Sequence, residues 1–302
     1  MLPLYLLVPK EIQDLEYNNS VQIRYRMYVV SAATVFAVFL RKIINTGIDE
    51  APNVPKFEIL IGLNGNLFSG MLISLLLMMI FYLGPIVLYL TMNIIKLRYR
   101  ISDKGELTKL PNPMPEWKII TNIYVDLVDQ VKSFTIREFR AIVFAPLTEE
   151  IVFRACMIPS YYIYYKYTLK EYSPWLLIYQ VPLWFGVAHA HHLLTKLKGG
   201  EKLLIAIAQT LFQFGFTTIF GCIASCLFLR TGSILSPIIS HMFCNYMGLP
   251  SVSFLFTGQS SISCLHPYRH VFFLLHALGL VLFAYAVIPC TESLQYRNIY
   301  WK

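Results

Sequence analysis

An all-α fold is predicted for this chain: a polytopic bundle of about seven to eight transmembrane helices around an intramembrane cavity. Three observations predict it. First, 56% of the 302 residues are hydrophobic and only 14% are charged, where a soluble domain carries about a quarter charged residues. Second, long uncharged runs recur from end to end, among them "LFSGMLISLLLMMIFYLGPIVLYLTMNII" at 67–95. Third, the runs show no alternation of the barrel kind. An open strand in lipid would leave its backbone groups unpaired, so these runs are helices.

The elements follow in order. The first apolar stretch is 27–40, extended to Ile44 only by including Arg41 and Lys42, which are expected to snorkel toward headgroups. The second, 67–95, is long enough to span with tilt and is expected to bend near Gly84-Pro85. The third, 138–165, surrounds "APLTEEIVFRACM". The fourth is 173–194, the fifth 203–229, the sixth the short and partly polar 233–249, and the seventh 271–289. Residues 1–26 are read as an N-terminal segment. Its "MLPLYLLVP" is too short to span and lacks a basic leader, so it is an interfacial piece or the stump of a first helix.

The net charge of +8 sits mostly between the apolar stretches. "KLRYRISDKGELTKLPNPMPEWK", 96–118, and "KLKGGEK", 196–202, read as solvated connections, and their basic excess places them on the cytosolic side. Contact with anionic lipid is the other reading of these charges. No basic patch with interleaved aromatics points to nucleic acid. The six cysteines show no paired metal spacing and no disulfide framework, and are read as small hydrophobes. Asn18-Asn19-Ser20 is a glycosylation tripeptide of a kind common by chance.

The informative residues are polar ones inside the apolar runs. A charge at the centre of a membrane helix costs roughly 2.5–3.5 kcal/mol on insertion scales, so each needs a partner or a task. Glu150 and Arg154 are four apart and share a helical face, placed to pair. Glu149 is rotated by about 100° onto the stripe of Ala145 and Phe153, where no local cation lies. The pair Glu150–Arg154 fits a tie between helices as well as it fits catalysis. Glu149 fits a carboxylate turned into a cavity, the setting of a general base.

In "WFGVAHAHH", Phe185 and His189 share a face, and His192 lies one turn beyond. A lone histidine on an apolar face is usually a satisfied core residue; three within four positions ask for more. His191 and His192 also suit the interface where the stretch leaves the membrane. In "SHMFCNYMG", His241 and Asn245 share a face. Aimed at one point they can hold a developing oxyanion; otherwise they make an interhelical hydrogen bond worth roughly 0.6–2 kcal/mol. Together the three patches offer a base, a water site and oxyanion donors on three separate helices, enough to hydrolyse an amide. No G-x-S-x-G nucleophile is present.

E-E-x-x-x-R at Glu149, Glu150 and Arg154, then F-x-x-x-H at Phe185 and His189, then H-x-x-x-N at His241 and Asn245, in this order, resemble the type II CAAX prenyl endopeptidases. "LFLRTGS", "CNYMGLP" and "MMIFYLGP" add to the likeness, which runs from about residue 55 to 250. Members usually have a full first transmembrane helix, and here only "MLPLYLLVP" stands in its place.

The resemblance implies a single integral membrane protease domain over 1–302 with its catalytic core at 138–249, in the endoplasmic reticulum membrane, its active site open to the cytosol. It implies removal of the last three residues from proteins whose CAAX cysteine is farnesylated or geranylgeranylated, Ras-type GTPases among them. The partners implied are those prenylated proteins and membrane lipid. By matching positions, Glu149 is the base that activates water and His189 helps to orient it. His241 and Asn245 form the oxyanion site, Glu150 and Arg154 hold the first glutamate, and Phe185 shapes the wall. No cofactor is expected. A zinc version held by Glu149, His189 and His241 uses suitable ligand types but lacks H-E-x-x-H. A cysteine protease using Cys156 or Cys244, a transporter or proton relay built on the same buried Glu and His, and a non-catalytic scaffold are the remaining rivals.

Overall fold

The structure, a computed structural model, describes residues 9, 19–46, 54–101, 107–112, 115, 118–249, 263–292, 296 and 298–301. The interfacial or truncated-helix reading of "MLPLYLLVP" lies outside the described residues but for Pro9, and so does Asn18 of the glycosylation tripeptide.

The first helix, α1, runs Ser20–Thr46, well beyond the apolar core seen in the sequence. Asn19 starts it by accepting the amide of Val21 at 2.9 Å. Arg41 corrects an expectation. It does not reach for headgroups: it is only 2% exposed, and its guanidinium donates to Asn45 Oδ1 at 3.4 Å one turn on. Then α2, Leu67–Phe81, and α3, Leu83–Arg98, meet at a 70° bend. The bend falls at Tyr82, slightly before the expected place, because Pro85 has no N–H to offer the carbonyl of residue 81. Strands β1, Tyr99–Ile101, and β2, Leu107–Lys109, pair antiparallel, and α4, Lys118–Lys132, comes next.

Residues 136–169 follow one helical path with three widened turns. The α segments are α5 Ile136–Phe139, α6 Ala145–Glu150 and α7 Ile158–Ile163; π segments fill Arg140–Phe144, Ile151–Met157 and Tyr164–Leu169. The first two π segments each precede a proline, Pro146 and Pro159, one or two residues inside the next α segment. A proline withholds its N–H from the carbonyl four residues back, here within the π segment, and the ladder widens to find another donor.

The fourth stretch is not one helix. α8, Pro174–Ala188, stops at His189, and α9, His191–Lys198, starts afresh. At the break the amide of His189 bonds the carbonyl of Gly186 at 3.0 Å instead of that of Phe185. The side chain of His189 fills the vacancy, donating Nδ1–H to the carbonyl of Phe185 at 2.8 Å.

α10, Leu203–Thr231, is the longest element. It ends at Gly232, which takes φ +66°, the left-handed cap conformation that glycine adopts without strain. Its carbonyl accepts from Asn64 Nδ2 at 2.8 Å, which pins the corner before α11, Leu235–Met247. At about 1.5 Å per residue α11 reaches only about 20 Å, short of a bilayer core. α12 is Arg269–Cys290. Among the described residues three helices are long and apolar enough to cross a membrane, or four if α2–α3 is one broken span. The molecule is an all-α, multi-pass membrane protein.

The chain divides into two compact units. The first holds Met1–Leu75, Ile136–Asn245 and Thr291–Lys302. Its core gathers Phe153, Tyr162, Val181, Phe185, Ala224 and Phe228. Tyr300 is fully buried there and donates its hydroxyl to the Leu60 carbonyl. The second unit holds Leu76–Thr135 and Tyr246–Cys290, with Ile95, Cys264, Leu265 and Phe272 at its centre.

Candidate active site

All the singled-out residues fall in the first unit, where α6 and the π segment after it, α8 and α11 bring them together. Glu150 is the hub. It is 0% exposed, and its Oε1 accepts from Arg154 Nη1 at 3.0 Å and from His241 Nδ1 at 2.7 Å. Arg154, also fully buried, spends its Nη2 on the carbonyl of Gly221 at 3.1 Å and lays its guanidinium 4.8 Å over the Phe185 ring. The pair expected from the sequence is thus a three-way tie, with a histidine 91 residues away as its third member.

Glu149 points elsewhere, as its helical position requires. Its Oε2 lies 3.9 Å from His241 Nε2, and about a tenth of its side chain remains exposed. Each of the two histidines of the site has its Nδ1 committed. A carbonyl only accepts, so the His189 proton sits on Nδ1, and its Nε2 in the neutral ring is an acceptor. His241 Nδ1 faces a carboxylate, which likewise assigns it the proton.

Phe185 forms the floor of this site. It is 1% exposed, with its ring 4.9 Å from that of His189 and 5.9 Å from that of His241. Phe220 of α10 covers the other side of His241 at 4.7 Å. Gly221 beside it lets α8 approach: a Cβ there would stand 2.8 Å from Pro182 Cβ and 3.3 Å from Arg154 Nη2. Phe220 and Gly221 were missed in the sequence, where a Phe-Gly pair in an apolar run carries no distinguishing signal.

Asn245 shares the face of His241 but lies on an exposed turn, and its Nδ2 donates to the carbonyl of Ala141 at 2.8 Å. His241 can donate a second hydrogen bond only from Nε2, as an imidazolium between two carboxylates, and Asn245 only through its second N–H.

Among the described residues no group of three or more His, Cys, Asp or Glu side chains is arranged to hold a metal ion. Cys156 is buried and Cys244 is half-buried against the core.

The pattern of the type II CAAX prenyl endopeptidase Rce1-like family matches residues 132–247, the stretch that carries every residue above. A human protein named CAAX prenyl protease 2 is 32% identical over 235 residues, covering 77% of this chain and 61% of its own length. Proteins of the same name from Arabidopsis thaliana and Saccharomyces cerevisiae are 34% and 35% identical over 161 and 141 residues, or 46% and 42% of their own lengths. The chain thus spans from 42% to 61% of the length of these relatives. No solved structure matches it.

Proposed function

We propose, from the match of residues 132–247 to that family's pattern, that this chain is an intramembrane endopeptidase acting on farnesylated or geranylgeranylated CAAX proteins. It removes the C-terminal tripeptide and leaves the prenylcysteine as the new end. Supporting this most directly is the convergence of Glu149, Glu150, His189 and His241 from separate helices over the Phe185 ring.

The chemistry follows from the donors and acceptors. Water lies between Glu149 and the acceptor Nε2 of His189. Glu149 takes its proton as the hydroxide attacks the scissile carbonyl carbon. The carbonyl oxygen becomes an oxyanion, stabilised by Nε2–H of the His241 imidazolium and by the second N–H of Asn245. The tetrahedral intermediate collapses, the C–N bond breaks, and Glu149 returns its proton to the leaving amine. Glu150 and Arg154 do not touch substrate. They hold His241 at a fixed angle to Glu149.

A site among membrane helices suits a lipidated substrate. A chain of 15 or 20 carbons partitions into lipid at about 0.8 kcal/mol per buried CH2, so the enzyme meets its substrate already concentrated in the bilayer. The endoplasmic reticulum membrane, with the site open to the cytosol where prenylated proteins are made, fits this reading. The test is to reconstitute the chain in lipid vesicles with a farnesylated CAAX peptide and detect the tripeptide by mass spectrometry. Release that needs the prenyl group and persists with a metal chelator is expected. Equal cleavage of the unprenylated peptide would refute the lipid-based recognition, and loss of release with chelator would restore the zinc mechanism.

A further inference from the structure

The stretch "LFLRTGS", 227–233, has no part in that chemistry, yet it leads straight into α11, the helix of His241. Its corner is built from buried hydroxyls: Thr231, Ser233 and, in the first turn of α11, Ser236 are each 0% exposed. Thr231 is the hub. Its hydroxyl donates to the Leu227 carbonyl at 2.7 Å, one turn back in α10. A hydroxyl has one proton to give and two lone pairs to receive with. With that proton spent, Ser236 Oγ is the donor in its 2.9 Å contact with Thr231 Oγ1. The Ser233 amide donates to the same oxygen at 3.2 Å. One side chain thus ties the end of α10 to the start of α11.

The beginning of α2 holds this corner from the side. Ser233 Oγ donates to the carbonyl of Leu67, the first residue of α2, at 3.1 Å. Three residues on, Gly70 leaves no room for a side chain: a Cβ there would stand 2.7 Å from Ser233 Cβ and 2.7 Å from Ser236 Oγ, where ordinary contact begins at 3.4 Å. Ser236 Oγ can rotate away, but Ser233 Cβ is fixed to the backbone, so the corner itself would have to move. The Ile234 amide, bonded to the Gly62 carbonyl at 3.1 Å, and the Gly232 carbonyl, bonded to Asn64, locate the same corner. All of these residues lie in the first unit, with the hydrolytic centre.

His241 follows Ser236 by five residues, about 7–8 Å along the axis of α11. There it donates to Glu150 at 2.7 Å and stands 3.9 Å from Glu149. A regular helix is stiff over so short a distance, so the place where α11 begins decides where His241 stands. We propose that Thr231 and Gly70 are positioning residues for the hydrolysis and act through His241: the hydroxyl tie and the bare Cα together fix the first turn of α11. This rests on the endopeptidase reading above. Neither residue touches the reacting atoms. An oxyanion donor works in the transition state, so its misplacement lowers kcat rather than raising KM.

The experiment reads kcat and KM for tripeptide release from a farnesylated CAAX peptide by the full chain in lipid vesicles. A misplacement of about 1 Å costs about a hundredfold, so Gly70→Ala and Thr231→Val are each expected to lower kcat about ten- to a hundredfold with KM near wild type. Thr231→Ser keeps the hydroxyl and is expected to recover most of kcat. Gly215→Ala, in the same unit but with nothing within 4 Å of the added Cβ, keeps the wild-type kcat. Each variant is also made in a His241→Ala chain. There its effect is expected to shrink below about twofold, because the group being positioned is gone; loss of folded protein would lower the rate equally in both backgrounds. A wild-type kcat in Gly70→Ala or Thr231→Val, or a loss of the same size in the His241→Ala chain, overturns the positioning role and leaves the hydrolase standing. No tripeptide from the wild-type chain overturns the hydrolase, and this inference with it.

Discussion

The two units tie their buried polar groups differently. In the second unit Asn93 and His276 turn to their own helix: Asn93 Nδ2 donates to the carbonyl of Tyr89 at 2.9 Å, and His276 Nδ1 to that of Phe272 at 2.6 Å, each four residues back. Tyr82 instead gives its hydroxyl to the distant Gly248 carbonyl at 3.2 Å. His276 Nε2 is buried with no hydrogen-bond partner among the described residues. In the first unit Arg41 and Asn45 also bond along one helix, but at the site the bonds run between elements. Glu150 meets His241, Arg154 meets the Gly221 carbonyl, and Arg230 Nε meets Thr291 Oγ1 at 2.6 Å, across 91, 67 and 61 residues. A bond within one helix satisfies a group without constraining any other element. A bond between helices fixes one side chain relative to another, which a hydrolytic site requires. Glu149, His241 and His189 lie in the unit whose polar groups are cross-tied.

That contrast breaks most visibly at the base. Glu149→Gln keeps the shape and loses the proton acceptor, so turnover of a prenylated peptide is expected to fall by about 10²–10⁴-fold while the melting temperature in detergent stays near wild type. Unchanged turnover would remove Glu149 from the chemistry. The cross-tie itself is tested by Arg154→Met, which leaves the fully buried Glu150 without its guanidinium. About 3–5 kcal/mol of stability is expected to go, read as an earlier thermal transition. Glu150→Gln added to Arg154→Met removes the stranded charge and is expected to recover part of that stability, though not the activity. Asn245→Ala takes away one oxyanion donor and is expected to cost about 10²-fold in kcat with little change in KM; a wild-type kcat would free Asn245 from that role. The smallest effect belongs to the second unit. His276→Leu replaces a side chain bonded at Nδ1 but unpaired at Nε2 with an apolar one of similar size, so stability should move by less than about 1 kcal/mol and turnover not at all. A large loss of turnover there would show that the second unit also carries the chemistry.

Part of the site was legible before any coordinates. The pairing of Glu150 with Arg154, and the separate heading of Glu149, follow from 3.6 residues per turn. Phe185 beneath His189 follows from the same period. The sequence was less informative where the helix period itself changes. Nothing in "GVAHAHH" separates a helix that continues from one that stops at His189, because the side chain takes over the very carbonyl that the backbone amide gives up. The two prolines of 136–169 mark where the ladder must loosen, but not that it loosens into π turns rather than a kink.

By itself the sequence determined that the chain is helical and membrane-spanning, because unbroken apolar runs with unpaired backbone have no other stable form in lipid. It also determined which polar residues had to be accounted for, since each is costly at that depth. Tertiary structure alone decided their partners. The bond from Glu150 to His241 joins two helices with no periodic relation, and Arg154 reaches a Gly221 carbonyl that any larger residue would displace. Helical period orders neighbours along one element; which element lies opposite is set by packing, where a glycine's missing side chain counts as much as a charge.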